Sequence, residues 1–282
     1  MNPMIKYRGG KSKEISHFIS NMPENYNRYI EPFFGGGALY FYLEPQNAII
    51  NDVNTKLYSF YKQMQEEYPS VRKQLDELQM VYEQNQKEYE GLKKKHPEER
   101  VENKNEALYY KIRDMFNHKI ESEYLEAVVY FFINKTAYSG MIRYNAKGEY
   151  NVPFGRYKNL NTKLITDKHY ELLKRTEIYN YDYSEIFNMA GNNDFIFLDP
   201  PYDTDFSNYE GKDFTKKDQE RLAEALKKTK AQFILVIKNT EFIYSLYKDI
   251  FQILTFDNQY TYNVRSRNNR NVEHLIITNL PI

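Results

Sequence analysis

The chain has 282 residues with 39 basic and 39 acidic side chains, so no net charge marks a polyanionic partner and any nucleic-acid surface must come from local segregation of charge. The absence of cysteine excludes disulfides, thiolate metal sites and cysteine nucleophiles. Residues Met1 to Lys11 lack the apolar core of a signal peptide, and no stretch approaches the roughly 20 apolar residues of a membrane span, so the expectation is a cytoplasmic protein with no membrane partner.

In chain order, Arg28 to Phe33 reads as a short strand. The turn Gly35-Gly36-Gly37 follows it, and a helix from Ala38 to Leu43 follows the turn. A glycine-rich turn between strand and helix lets a nucleotide-like cofactor approach the backbone. Ala48 to Asn51 reads as a second strand ending at Asp52, where a Rossmann-like unit hydrogen-bonds ribose hydroxyls. From Lys56 to about Asn134 the pattern is helical: Val71, Leu75, Leu78 and Tyr82 recur at helical spacing, and Leu108, Ile112 and Met115 do so again. Lys87 to Lys104 between them is mixed in charge and has no apolar stripe, as expected of a solvated helix end or loop.

Tyr144 to Tyr150 reads as a hairpin turn between two short strands, with Gly148 available for a positive φ. Lys135, Arg143, Lys147, Arg156 and Lys158 around it face only Glu149, which is the charge segregation that the neutral total hides. Glu177 to Tyr181, Phe195 to Leu198, Phe233 to Ile237 and Leu275 to Thr278 then read as strands, with an amphipathic helix from Lys216 to Lys228. The simplest architecture is α/β: a Rossmann-like sheet domain of residues 1–55 and 160–282, interrupted by a domain of residues 56–159 built of helices and a β-hairpin.

Asp199-Pro200-Pro201-Tyr202 stands at the end of the apolar run Phe195-Ile196-Phe197-Leu198, where open α/β sheets bind ligands. Its chemistry suits methyl transfer to an exocyclic amine, whose lone pair is delocalised into its ring. Acceptors for both amino hydrogens favour the pyramidal, nucleophilic form. Asp199 supplies one, the Pro200 carbonyl another, and proline fixes the loop that aims them. Tyr202 offers a flat face on which a base can stack. As an isolated tetrapeptide the same residues also fit a strand followed by a proline-fixed turn.

Together these motifs resemble the Dam-type family of site-specific DNA adenine-N6 methyltransferases, the D12 class of the alpha group. In that class the recognition region interrupts the methyltransferase sheet before the catalytic motif. Lys6-Tyr7-Arg8-Gly9-Gly10-Lys11 resembles the family's Lys-Trp-Ala-Gly-Gly-Lys, with tyrosine for tryptophan and arginine for alanine. Glu31 to Gly37 resembles the cofactor motif, Asn51-Asp52-Val53-Asn54 the acidic element, Asp182-Tyr183 the Asp-Phe pair, and Asp199 to Tyr202 the catalytic motif. The resemblance implies S-adenosylmethionine as methyl donor and no metal. It implies that Tyr7, Lys11, Phe33 and Gly35 line the donor's site, that Asp52 takes the ribose hydroxyls and Asp182 the adenine amino group, and that Tyr183 packs on the ring.

The segments Tyr138-Ser139-Gly140-Met141-Ile142-Arg143-Tyr144-Asn145 and Asn151-Val152-Pro153-Phe154-Gly155-Arg156-Tyr157 resemble the family's recognition hairpin. The implied DNA contacts are Lys6 and Arg143 to guanines, Tyr138 as a wedge with Ser139 beside it, Met141 and Pro153 on a thymine methyl, and Tyr157 within the hairpin. The family often has asparagine where Ser139 stands. An arginine on a stiff ribbon can present its planar fork to guanine O6 and N7 in the major groove. The implied partner is double-stranded DNA carrying GATC, with a cognate restriction endonuclease as a functional partner, and Arg265, Arg267 and Arg270 are expected on phosphates. Two alternatives stay open at this point: an RNA adenine-N6 methyltransferase, which shares the catalytic tetrapeptide, and a non-catalytic DNA-binding module.

Overall fold

The computed structural model describes residues 1–7, 9–202, 214–259 and 271–281. Arg8 of the amino-terminal motif and the cluster Arg265, Arg267 and Arg270 lie outside the described residues. The elements run in the order α1 (Ile15–Phe18), β1 (Tyr29–Glu31), α2 (Ala38–Leu43), β2 (Ala48–Asn51), α3 (Thr55–Glu66), α4 (Tyr68–Lys95), α5 (Lys104–Phe116) and α6 (Glu126–Thr136). There follow α7 (Asp167–Lys174), β3 (Thr176–Tyr179), α8 (Tyr183–Met189), β4 (Phe195–Leu198), α9 (Lys216–Lys228), β5 (Gln232–Lys238), α10 (Glu241–Tyr247), β6 (Gln252–Gln259) and β7 (Asn271–Thr278). They form two compact units, one of Met1–Gly10 and Thr55–Lys174, the other of Lys11–Asn54 and Arg175–Ile282.

The second unit is a seven-stranded sheet in the order β3-β2-β1-β4-β5-β7-β6. The pairs from β3 to β5 are parallel, and β7 lies antiparallel to both β5 and β6. Every residue of β1, β2 and β4 is buried, which is why these strands read as unbroken apolar runs rather than alternations. Strand order reverses between β1 and β4, so the crevice outside their carboxyl ends is the topological switch point. Helix α9 starts from a capping box in which Thr215 and Asp218 satisfy each other's backbone donors, and it buries Leu222, Ala223 and Leu226. Strand β1 is shorter than the stretch Arg28 to Phe33, because Pro32 has no amide hydrogen to extend the ladder. Strand β6 carries no clear signal in its own sequence, and its backbone pairs with β7 at the edge of the sheet.

The first unit is helical. Helix α6 is buried from Ala127 to Thr136, as a helix that is covered on all sides must be. Helix α4 buries Tyr68, Val71, Leu75, Leu78 and Tyr82 and then runs on to Lys95 with its stripe ended. Pairs one turn apart, Gln84 with Glu88 and Gln86 with Glu90, support that polar extension, as does the Lys104–Glu88 ion pair. The mixed-charge stretch is thus the end of α4 plus the loop into α5.

The edges of this unit follow from specific hydrogen bonds. Asn134 accepts from the Lys6 amide at 2.8 Å and donates to the Lys6 carbonyl at 2.7 Å, tying the amino-terminal segment to α6. Arg72 donates to the carbonyls of Thr162 and Ile165, Tyr68 to Asp167, and Gln65 to the Leu173 carbonyl. Residues 160–174 therefore pack with the helices, and the chain enters the sheet unit at Arg175 rather than at 160.

The hairpin expected around Tyr144 to Tyr150 forms a turn but no regular pair of strands: its ladder is reduced to the isolated bridges Ala137–Phe154 and Tyr144–Tyr150. Gly148 has φ +75°, as expected. The returning limb bonds to its partner at a few points, the Asn151 amide to the Arg143 carbonyl among them, and also to α5 and the residue after it: Asn117 both donates to the Tyr150 carbonyl and accepts from its amide, and Tyr109 donates to the Val152 carbonyl.

Candidate active site

The catalytic tetrapeptide leaves β4 at the switch point, and residues distant in sequence hold it. The Lys11 ammonium lies 2.8 Å from Asp199 Oδ1 and donates to the Tyr202 hydroxyl, also at 2.8 Å. The Lys11 side chain is 3 % exposed and that of Asp199 22 %, so the pair is largely desolvated. Burial pushes the Asp199 carboxyl above its ordinary range, and Lys11 pulls it back. Gln219 on α9 is fully buried and donates to the Pro201 carbonyl at 3.0 Å. Tyr202 Oη lies 3.1 Å from Nε2 of His274, a buried residue of β7. Neither Gln219 nor His274 carries any local sequence signal, since each reaches the site from an element far along the chain.

Across the switch point, the Phe34 amide donates to the Asn51 carbonyl and the Gly37 amide to the Phe34 carbonyl, which closes the glycine turn. Gly37 has φ +64°, and a Cβ there would run into the Phe34 ring, so glycine is required on both counts. Asp52 Oδ2 accepts from the Gly35 amide at 2.8 Å and Oδ1 from the Asn54 amide at 2.9 Å. Asn51 joins three loops: it donates to the carbonyls of Pro32 and Tyr181 and accepts from the Tyr181 amide. Glu31, buried at the end of β1, accepts from the Tyr29 hydroxyl at 2.6 Å, and burial holds its carboxyl well above the usual range.

Phe33 and Tyr183 are brought together, with ring centroids 5.1 Å apart and Phe214 against both. Tyr183 donates to the Asp218 carbonyl, so its hydroxyl is spoken for. Asp182 caps α8, accepting from the Ser184 amide and hydroxyl, and pairs with Arg221 at 3.0 Å. These contacts hold its carboxyl below the ordinary range despite partial burial. The Arg221 partnership was not expected from the sequence.

The remaining candidates lie on the helical unit. Tyr7 is half-buried there, with its carbonyl accepting from the Gly10 amide. Lys6 extends over the Tyr157 ring at 3.8 Å and donates to the Lys135 carbonyl. The Tyr138 amide donates to the Pro153 carbonyl, which joins the two limbs of the predicted hairpin. Tyr138 is 56 % exposed, and Ser139 has φ +54°. Arg143 is exposed, and Asn151 steadies it by accepting from Nε at 2.8 Å, while Met141 is half-buried and Pro153 exposed.

Among the described residues, no group of three or more His, Asp or Glu side chains could hold a metal, and no helix is long and apolar enough to cross a membrane. A polar cavity of about 530 Å³, lined by Arg28, Asn47, Arg175, Glu177 and Asp194 among others, opens at the amino ends of the strands, the opposite edge of the sheet from Asp199.

A family model described as D12 class N6 adenine-specific DNA methyltransferase matches residues 7–262. The chain belongs to that family. It is an enzyme that methylates adenine in DNA, which sets aside the RNA-directed and non-catalytic readings. The type II methyltransferase M.CviBI of Paramecium bursaria Chlorella virus NC1A is 32 % identical over 286 residues, covering 99 % of this chain and 100 % of that protein. The type II methyltransferase M.MjaIII of Methanocaldococcus jannaschii is 34 % identical over 248 residues, 81 % of this chain and 80 % of the relative. The DNA adenine methylase of Escherichia coli strain K12 is 28 % identical over 229 residues, 78 % of this chain and 73 % of the relative. For a D12-class enzyme the arrangement around Asp199 has a direct chemical reading.

Proposed function

We propose that this enzyme transfers the methyl group of S-adenosylmethionine to N6 of an adenine turned out of duplex DNA, within the sequence GATC. The observation that carries the reading is the Lys11–Asp199 pair at the carboxyl end of β4, with the glycine turn and Asp52 on the neighbouring strands of the same switch point. The residues present fit the donor. Gly35 and Gly37 keep side chains out of the turn, and the Gly35 amide holds the Asp52 carboxylate beside it, the kind of acceptor that takes ribose hydroxyls. Phe33 and Tyr183 supply aromatic surface for the adenine ring, Asp182 an acceptor for its amino group, and Lys11 completes the lining; Tyr7 is assigned to the donor by the family's amino-terminal motif alone.

When bound, the donor supplies a methyl group activated by its sulfonium. Asp199 and the Pro200 carbonyl accept the two N6 hydrogens, Pro201 fixes the loop, and Tyr202 stacks on the base. As the N6 lone pair forms the new N–C bond and the S–C bond breaks, N6 must lose a proton, and a carboxylate whose pKa is raised by burial is the better acceptor for it.

The sheet unit is the catalytic domain in this reading and the helical unit the recognition domain. There Lys6 and Arg143 contact guanines, Tyr138 enters the stack as the adenine leaves, with Ser139 at its side, Met141 and Pro153 meet a thymine methyl, and Tyr157 backs Lys6. The tether from Asn151 supports Arg143, because a held guanidinium loses less freedom on binding a base edge. A cytoplasmic location and a cognate restriction endonuclease complete the proposal; relatives named type II methyltransferases support the second.

The test is transfer of labelled methyl groups from S-adenosylmethionine to two duplexes that differ only in whether GATC is present. Incorporation restricted to the GATC duplex is expected. Equal incorporation into both would overturn the specificity, and incorporation into neither would send the search to other adenine sites.

A further inference from the structure

The motif residues account for Lys11, Asp199 and Tyr202 but leave a buried histidine touching the last of them. His274 is fully buried on β7, in register with Phe256 of β6 and Lys238 of β5. Its ring stacks on Phe256 at 5.4 Å with an interplanar angle of 23°, and His17 stacks on Phe256 in turn at 4.6 Å. A ring held between strands in this way has little freedom to turn, so the position of Nε2 is set by the sheet.

The Lys11 ammonium has hydrogens and no acceptor, so it donates to Asp199 and to the Tyr202 oxygen. The Tyr202 hydroxyl, which can both donate and accept, shares a second hydrogen bond with His274 Nε2, 3.1 Å away.

We infer that His274 is a positioning residue for the methyl transfer: by hydrogen-bonding the Tyr202 hydroxyl opposite the Lys11 donor, it fixes the plane of the ring against which the target adenine stacks. The inference rests on the reading of Tyr202 as the base platform. A phenol bonded from one side only can rotate about its Cα–Cβ bond; bonded from two sides by groups on β7 and at Lys11, it is held in one orientation. Holding reacting groups in the productive geometry is worth rate rather than affinity. The loss should therefore fall on the transfer step and leave DNA binding intact.

The experiment compares His274→Phe, which keeps a flat ring on Phe256 and removes the hydrogen bond, with His274→Gln, which retains a group able to donate or accept one. Tyr202→Phe, Tyr202→Ala and the double variant Tyr202→Phe with His274→Phe complete the set. Single-turnover methyl transfer, DNA affinity and the fluorescence of an adenine analogue at the target position are measured on each. His274→Phe is expected to slow transfer about tenfold, the size of one lost hydrogen bond, with DNA affinity unchanged. Tyr202→Phe should show the same loss, the double variant no more than either single change, and His274→Gln most of the original rate. Losses that multiply in the double variant would overturn the inference, since the two side chains would then act independently. So would a Tyr202→Phe enzyme of undiminished rate, an outcome that stands even if His274→Phe does not fold. Failure of the underlying reading is distinguishable: a Tyr202→Ala enzyme with unchanged transfer and unchanged analogue fluorescence would remove the base platform itself.

Discussion

Replacing Lys11 with Met keeps most of the aliphatic stem and deletes the ammonium that lies 2.8 Å from both Asp199 and the Tyr202 hydroxyl. Removing one partner of a fully buried ion pair costs about 3 to 5 kcal/mol. With 22 % of the Asp199 side chain exposed, water recovers part of that, leaving about 2 to 3 kcal/mol. Tm should fall by roughly 4 to 12 °C, and transfer near neutral pH should slow as the carboxylate form of Asp199 is depleted. The pH dependence carries the more specific signature. Asp199 works as a carboxylate, its pKa is already raised by burial, and Lys11 is the group that lowers it. Without the ammonium the pKa rises further, so the acid limb of the rate profile should move to higher pH, with partial recovery of rate as the pH is raised. The assay is single-turnover methyl transfer at saturating DNA and donor across the profile. A variant that weakened donor affinity while leaving the acid limb where it was would refute this reasoning, because Lys11 would then serve only to line the donor's site.

Three further outcomes follow from neighbouring contacts. Asn51→Leu leaves the Pro32 and Tyr181 carbonyls and the Tyr181 amide without their partner, and should cost about 3 kcal/mol and lower Tm by roughly 6 to 12 °C; an unchanged Tm would contradict the stapling role. Gly37→Ala puts a Cβ into the Phe34 ring at φ +64° and should destabilise the sheet unit by more than about 1 kcal/mol while weakening the thermal shift produced by S-adenosylmethionine; a shift equal to that of the unaltered enzyme would count against the glycine turn as donor site. Arg143→Ala should cost about 1 to 3 kcal/mol of discrimination at one guanine, read from rates on duplexes altered one base pair at a time, whereas an equal fall on every duplex would make Arg143 a phosphate contact.

The elements that made the site legible are those whose sequence carries their environment. Strand β4 is buried on both faces and so is spelled as an unbroken apolar run; the glycine turn and Asp52 sit at fixed offsets from β1 and β2. Strand β6 lies at the sheet edge and depends on β7 for its ladder, so a reading of its residues alone had nothing to find. The hairpin carries its turn residues in sequence, but the capture of its returning limb by Asn117 and Tyr109 depends on where α5 lies. The same holds for Gln219, His274 and Arg221: each reaches the site by contacts of which its immediate neighbours in sequence give no hint. Residues 160–174 read as part of the sheet domain because Arg72, Tyr68 and Gln65, which hold them to the helices, lie about a hundred residues earlier.

The most direct test of the account replaces Asp199 with Ala and measures, on the same preparation, methyl incorporation and affinity for the duplex. The account predicts that transfer is abolished while DNA binding stays close to that of the unaltered enzyme, with Tm lowered because the buried Lys11 ammonium loses its carboxylate partner. Transfer at an undiminished rate would contradict it, because the carboxylate at the end of β4 would then have no part in the reaction.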